Sequence, residues 1–189
     1  MYYVVSFDFD LYPKTELLTG PDWSNDIDVD FDAGIKIANS FPPLRLRHSV
    51  TPLEDTPDLL PTYLSNFLIS SRIRQTLESA GVTNIDYYPV TILSANGMPQ
   101  NDGYFLGNII GRIACLNRET SIFDTMAGDE EIALDIEEMH LTEARIGDAK
   151  IFRLHEHPSI IIVAEDIKTS FQRSKIVGVK FSEAEGYCL

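Results

Sequence analysis

Positive charge is scarce in this sequence: 15 lysines and arginines face 29 aspartates and glutamates, for a formal charge of −14. So large an anionic excess repels phosphate backbones and argues against nucleic acid as a partner. It attracts basic partners from a distance, which raises association rates more than final affinity. Cysteine is also rare. Cys115 and Cys188 cannot form a disulfide framework, and this usage suits a reducing cytoplasm. Long apolar runs are missing: nothing approaches the roughly 18 residues needed to span a bilayer, so no membrane association is expected. The opening "MYYVVSFDFD" lacks a basic n-region and meets acid by Asp8, so it reads as a strand and not a signal peptide. Together these absences describe a soluble intracellular protein.

What remains is enough for a real core. A chain of 189 residues, 44% hydrophobic and 23% charged, accommodates one domain or two small lobes sharing one core. We divide it into an acidic, strand-rich lobe over residues 1–60 and a more regular core over 61–189, both within a single domain. "YYVVSFDF" is a good opening strand. In "DIDVDFD", Ile27, Val29 and Phe31 alternate with Asp26, Asp28, Asp30 and Asp32, which as a strand gives one apolar and one anionic face. "LRLRHSV" alternates again, with Leu44 and Leu46 inward and Arg45 and Arg47 outward. Past residue 66, "FLIS" reads as a buried strand and "SRIRQTLESAG" as a helix, with Ser70 or Ser71 as N-cap and Gly81 as a left-handed stop. "NIDYYPVTIL" returns as a strand.

A second segment, "SIIIVAEDIKTSFQRSKIVGVKF", repeats that order. Ile73 falls on Ile167 and Leu77 on Phe171, each pair 94 residues apart. The segments between them, "GYFLGNIIGRIACL", "EIALDIEEMHL" and "KIFRLHEH", read as strands. The expected fold is α+β: a mainly antiparallel sheet with two packed helices, built from two similar strand–helix–strand units.

Several chemical readings can be tested on residue types. Asp26, Asp28 and Asp30 copy the first three ligands of an EF-hand, but Phe31 stands where its glycine must turn and Ile37 where its glutamate is needed. Asp8-x-Asp10 after an apolar strand resembles the opening of aspartate-nucleophile phosphatases. That chemistry also requires a cation for the phosphoryl charge and a later acidic metal cluster, and neither is recognisable. A metal-dependent phosphohydrolase using Asp8 and Asp10 is the rival reading. His155 and His157 lack a third ligand, since His48 and His140 are isolated. Cys115 lies in an apolar strand and reads as a small buried hydrophobe. No catalytic residue, metal site or cofactor is therefore expected.

Several stretches in order resemble a bacterial family of polymorphic-toxin immunity proteins, the eleventh numbered immunity family. They are "YYVV", "DLLPTYLSNFLISSRIRQTLESAGVTNIDYYPVTI", "GYFLGNIIGRIACLNRETS" and "AKIFRLHEHPSIIIVAEDIKTSFQRSKIVGVKF". The resemblance covers residues 60–182 well and the first 60 loosely. It departs at Asn117, where an acidic residue is expected, and at Ala164, where a serine cap is more usual. Its motifs look like core and turn positions, so it carries over no catalytic residues. It implies a protein encoded beside a secreted toxin, one that binds and neutralises that toxin inside the bacterial cytoplasm. The partner is then a protein toxin with a basic surface. Trp23, Asp26, Asp28, Asp30 and Asp32 are the candidate partner-binding residues, with two alternatives open. The carboxylates could instead guard a strand edge against aggregation, and Trp23 is either an interface anchor or a core residue.

Overall fold

The computed structural model describes residues 1–21, 29–48, 57–65 and 67–189. Two five-stranded sheets carry the fold, with a two-stranded hairpin beside them. The first sheet contains β1 (Tyr2–Phe7), β7 (Arg112–Ile113), β10 (Ile151–Leu154), β11 (Ile161–Ala164) and β12 (Val179–Glu183), in the order β12-β1-β11-β10-β7. The second contains β2 (Leu44–Arg47), β3 (Leu59–Leu60), β4 (Leu68–Ser70), β5 (Ile85–Leu93) and β6 (Pro99–Ile109), in the order β2-β5-β6-β4-β3. The hairpin pairs β8 (Ile122–Met126) with β9 (Asp129–Glu138). Pairing is antiparallel except where β2 joins β5 and β7 joins β10. Two helices, α1 (Ser71–Ser79) and α2 (Glu165–Arg173), pack against each other. The α+β expectation holds.

The repeated unit is real and reaches further than the helices. In the second sheet, β6 lies between β4, which precedes α1, and β5, which follows it. In the first sheet, β1 lies between β11, which precedes α2, and β12, which follows it. Both central strands run antiparallel to both neighbours. Next outward, β3 flanks β4 as β10 flanks β11, with Leu59 opposite Ile69 and Ile151 opposite Val163. The two sheets thus share a four-strand topology. One takes its central strand from the hairpin partner of β5, and the other takes it from the start of the chain.

Strand alternation distributes the core into three layers. Tyr3, Val5, Phe7, Ile161 and Val163 face a central core with Phe67, Ile69 and the helix residues Ile73, Leu77, Ile167 and Phe171. The opposite face of the first sheet, with Val4, Phe152, Leu154 and Ile162, is covered by Ala133 and Ile136 of the hairpin. The opposite face of the second sheet, with Leu44, Leu46, Leu68, Val90 and Leu106, is covered by Leu18 and Phe31 of the N-terminal segment. β2 shows the expected alternation: Leu44 and Leu46 are buried, and Arg45 and Arg47 exposed.

Ser70 is the N-cap of α1, and its hydroxyl accepts from the Arg72 and Ile73 amides. Gly81 follows the helix at φ +79°, a left-handed conformation that costs a glycine little.

Candidate partner-binding surface

The acidic stretch departs from expectation. Trp23, Asp26 and Asp28 lie outside the described residues, and Val29–Asp32 form no strand. The cause is local hydrogen bonding. Asp30 Oδ1 accepts from the Asp32 amide at 2.7 Å, an aspartate turn that competes with an extended ladder. Phe31 points inward and is fully buried, and Asp30 is exposed. Asp32 turns toward the protein. Its Oδ1 lies 2.7 Å from Arg153 Nη2 and accepts from the Ser65 hydroxyl at 2.7 Å. The expected continuous anionic face is therefore corrected over Val29–Asp32.

Arg153 explains why Asp32 turns in. It belongs to β10, its side chain is wholly inaccessible, and it also donates to the Pro158 carbonyl at 2.8 Å. A guanidinium removed from water needs a counter-charge, which Asp32 supplies. Burial pushes the Asp32 carboxyl up, and Arg153 pulls against that push. Since Phe31 belongs to the layer over the second sheet, this ion pair ties that cover to the first sheet.

The residues of the rival hydrolase reading serve local structure. Asp8 Oδ1 accepts from the Leu11 amide in the turn after β1. Asp10 is paired at 2.7 Å with Lys180 of β12, which holds its carboxyl below the usual range. Among the described residues, no three His, Cys, Asp or Glu side chains are grouped to hold a metal. His155 lies 3.7 Å from Glu131 and His157 contacts Ser159, so the two imidazoles engage different partners. Cys115 is fully buried, and burial pushes its thiol up to about 12, far from the thiolate that nucleophilic chemistry needs.

Another anionic surface is one that strand alternation alone did not single out. The β8–β9 hairpin holds seven acidic residues and no lysine or arginine between Ile122 and Glu138. Asp124 stands directly opposite Asp135 in the register, an arrangement that costs stability. Ala133 and Ile136 anchor one face, while Ile122, Met126 and Leu134 remain exposed among the carboxylates. The signal was available in "DEEIALDIEE", whose charge density exceeds that of the stretch at 26–32. Glu156 was hidden inside "HEHP", which reads as a turn. It is 3% exposed, and burial pushes its carboxyl up.

The described residues form a two-sheet α+β fold with an acidic hairpin packed over the first sheet. The sequence model described as Immunity protein family (Imm11) matches residues 14–186. The chain belongs to that family. Membership implies a role in toxin immunity and so a cognate toxin as partner. The match extends over most of the first 60 residues, where the motif resemblance is loose. A search of curated proteins gave no match. No described helix is long and apolar enough to cross a membrane.

Proposed function

We propose that the chain neutralises its toxin by stoichiometric binding in the bacterial cytoplasm, without catalysis, and that it docks a basic toxin surface through its own acidic covers. The observation that carries this reading is the opposed pair Asp124–Asp135 within a hairpin devoid of basic residues. Stability alone disfavours that arrangement, whereas a cationic partner relieves it. Trp23, Asp26, Asp28, Asp30 and Asp32 remain candidate contacts in this proposal, as a second acidic segment separate from the hairpin, with exposed Asp30 contributing directly. Asp32 contributes by holding the segment to Arg153.

The test is co-expression with the toxin encoded beside it. Protection should persist in the Asp8→Asn/Asp10→Asn double variant, because neither residue takes part in a reaction. Charge reversal of Asp124 and Asp135 to lysine should slow association and flatten its salt dependence. Loss of protection in the double variant, with the fold intact, would favour the hydrolase reading. An unchanged association rate after charge reversal would remove the hairpin from the interface.

A further inference from the structure

A cleft of about 410 Å³ opens beside the turn end of β8–β9, lined by Arg118, Glu130, Glu131, Arg145, His155 and Glu156. Its charged groups are not equally provided for. Arg118 donates to the Glu130 carbonyl and stacks over Phe123 with its guanidinium carbon 4.9 Å from the ring centre. Arg145 donates to the Ala114 carbonyl at 3.4 Å. Glu131 reaches only the His155 ring, at 3.7 Å, and is otherwise open to solvent. Glu156 is the exception: backbone amides of Glu156 and Leu116 act on its carboxyl, but its buried Oε2 has no hydrogen-bond partner among the described residues. Its backbone carbonyl accepts from the Ala133 amide at 2.7 Å, which fixes the residue against β9.

A buried carboxylate oxygen without a donor is costly, and the kind of group that would relieve it can be specified. An anion would add repulsion. A neutral donor would satisfy the hydrogen bond and leave the charge. A cationic donor answers both needs. Arg118 and His155 favour the charged Glu156 carboxyl from a distance, but Arg118 and Arg145 donate to backbone carbonyls and His155 faces Glu131, so a donor to Oε2 itself comes from outside.

We propose that this cleft receives a single lysine or arginine side chain from a protein partner, with Glu156 and Glu131 as its anionic walls and the β8–β9 carboxylates guiding the approach. The assignment rests on the toxin-binding reading above and names the group on the toxin that is recognised. Burial holds the Glu156 carboxyl above its ordinary range. An arriving cation favours the charged form, so occupancy and ionisation of Glu156 are linked.

The experiment titrates N-acetylarginine amide into the isotopically labelled full chain and follows the Glu156 side-chain carboxyl carbon and the Glu131 and His155 amides by NMR. A saturable shift of the carboxyl toward its ionised position is expected. N-acetylglutamine amide, of similar size and no charge, should leave it unmoved. The amide shifts should vanish in Glu156→Gln, whose melting temperature and amide spectrum establish that it folds. No saturable shift, an equal response to the glutamine amide, or amide shifts unchanged in E156Q would each overturn the proposal. The co-expression assay separates this failure from that of the broader reading. Protection by the wild-type chain with no response to the arginine amide removes the cleft and leaves the immunity function. A response without toxin neutralisation removes the immunity function and leaves a cation site.

Discussion

The two helices occupy equivalent places in two sheets of like topology, yet their ends are finished differently. α1 begins with a serine cap and is followed by a left-handed glycine. α2 begins at Ala164, which offers no side-chain cap, and is followed by Lys175 at φ +52°. Each pair of termini is 94 residues apart. In place of caps, α2 has Glu165 and Asp166 in its first turn and Arg173 in its last, where they complement the helix dipole. α1 has no such charges. Within their own residues, one helix is capped by conformation and the other by charge.

The ion pairs beside the helices repeat the theme with the signs exchanged. Asp58, just before β3, pairs at 3.2 Å with Arg72 of α1. Lys150, just before β10, pairs at 3.3 Å with Asp166 of α2. Arg72 donates to the Ser174 and Lys175 carbonyls at the end of α2, and Lys150 donates to the Ala80 carbonyl at the end of α1. Each helix end is therefore closed by a cation associated with the other unit. Exchanged charges make the two units complementary to each other, which helps to specify their pairing within one chain.

The largest expected departure from equivalence is at Arg153. Its counterpart, one residue past β3 when the strand register is extended, is Pro61, so only the second unit buries a guanidinium there. Arg153→Ala should destabilise the protein by about 3–5 kcal/mol, because Asp32 and Ser65 lose their partner. Arg153→Met with Asp32→Leu should recover most of that loss, measured by denaturant unfolding. Ser70→Ala should cost up to about 2 kcal/mol, since the hydroxyl caps α1 and also donates to buried Asp58 at 2.6 Å. The reciprocal changes in the second unit should stabilise: Ala164→Ser and Lys175→Gly by about 1 kcal/mol each. If they destabilise, the two helix ends are not equivalent. Raising salt should loosen the ends of α2 more than those of α1, by a few tenths of a kcal/mol in amide exchange.

Acidification offers the finest test, since His48 and His140 respond with opposite sign. Burial lowers the pKa of His48, beside β2, so stability present above its unfolded value of about 6.5 is lost as pH falls. Glu185 raises that of His140 through a hydrogen bond, so that contact is complete below the unfolded value and is lost as pH rises through the folded one. Half-buried His157 shares the sign of His48. Hydrogen exchange between pH values on either side of about 6.5 should therefore show weaker protection near Arg47 and stronger protection near Leu141 as the solution is made more acid.

Much of this comparison could be read from residue order. Ile73 and Leu77 against Ile167 and Phe171 marked both buried helix faces, Ser70 and Gly81 marked the ends of α1, and Ala164 marked a missing cap. The register of β1 was beyond reach, because an apolar strand carries no label for the strands it will join. Alternation misled at Asp30 and Asp32, where an aspartate turn and a buried cation 121 residues away outweighed the strand pattern. A clue lay in "KIFRLHEH", where Arg153 falls on the same face as Ile151. Glu156 was legible only as a turn residue, since burial there depends on β9 packing over it.

The central claim is protection by occupancy without turnover. Residual activity of the cognate toxin should be titrated with the purified chain at toxin concentrations well above the dissociation constant. A linear fall to zero at one equivalent, with association slowed by salt, is the predicted result. Inactivation by far less than one equivalent, or an untouched toxin at large excess, would contradict it.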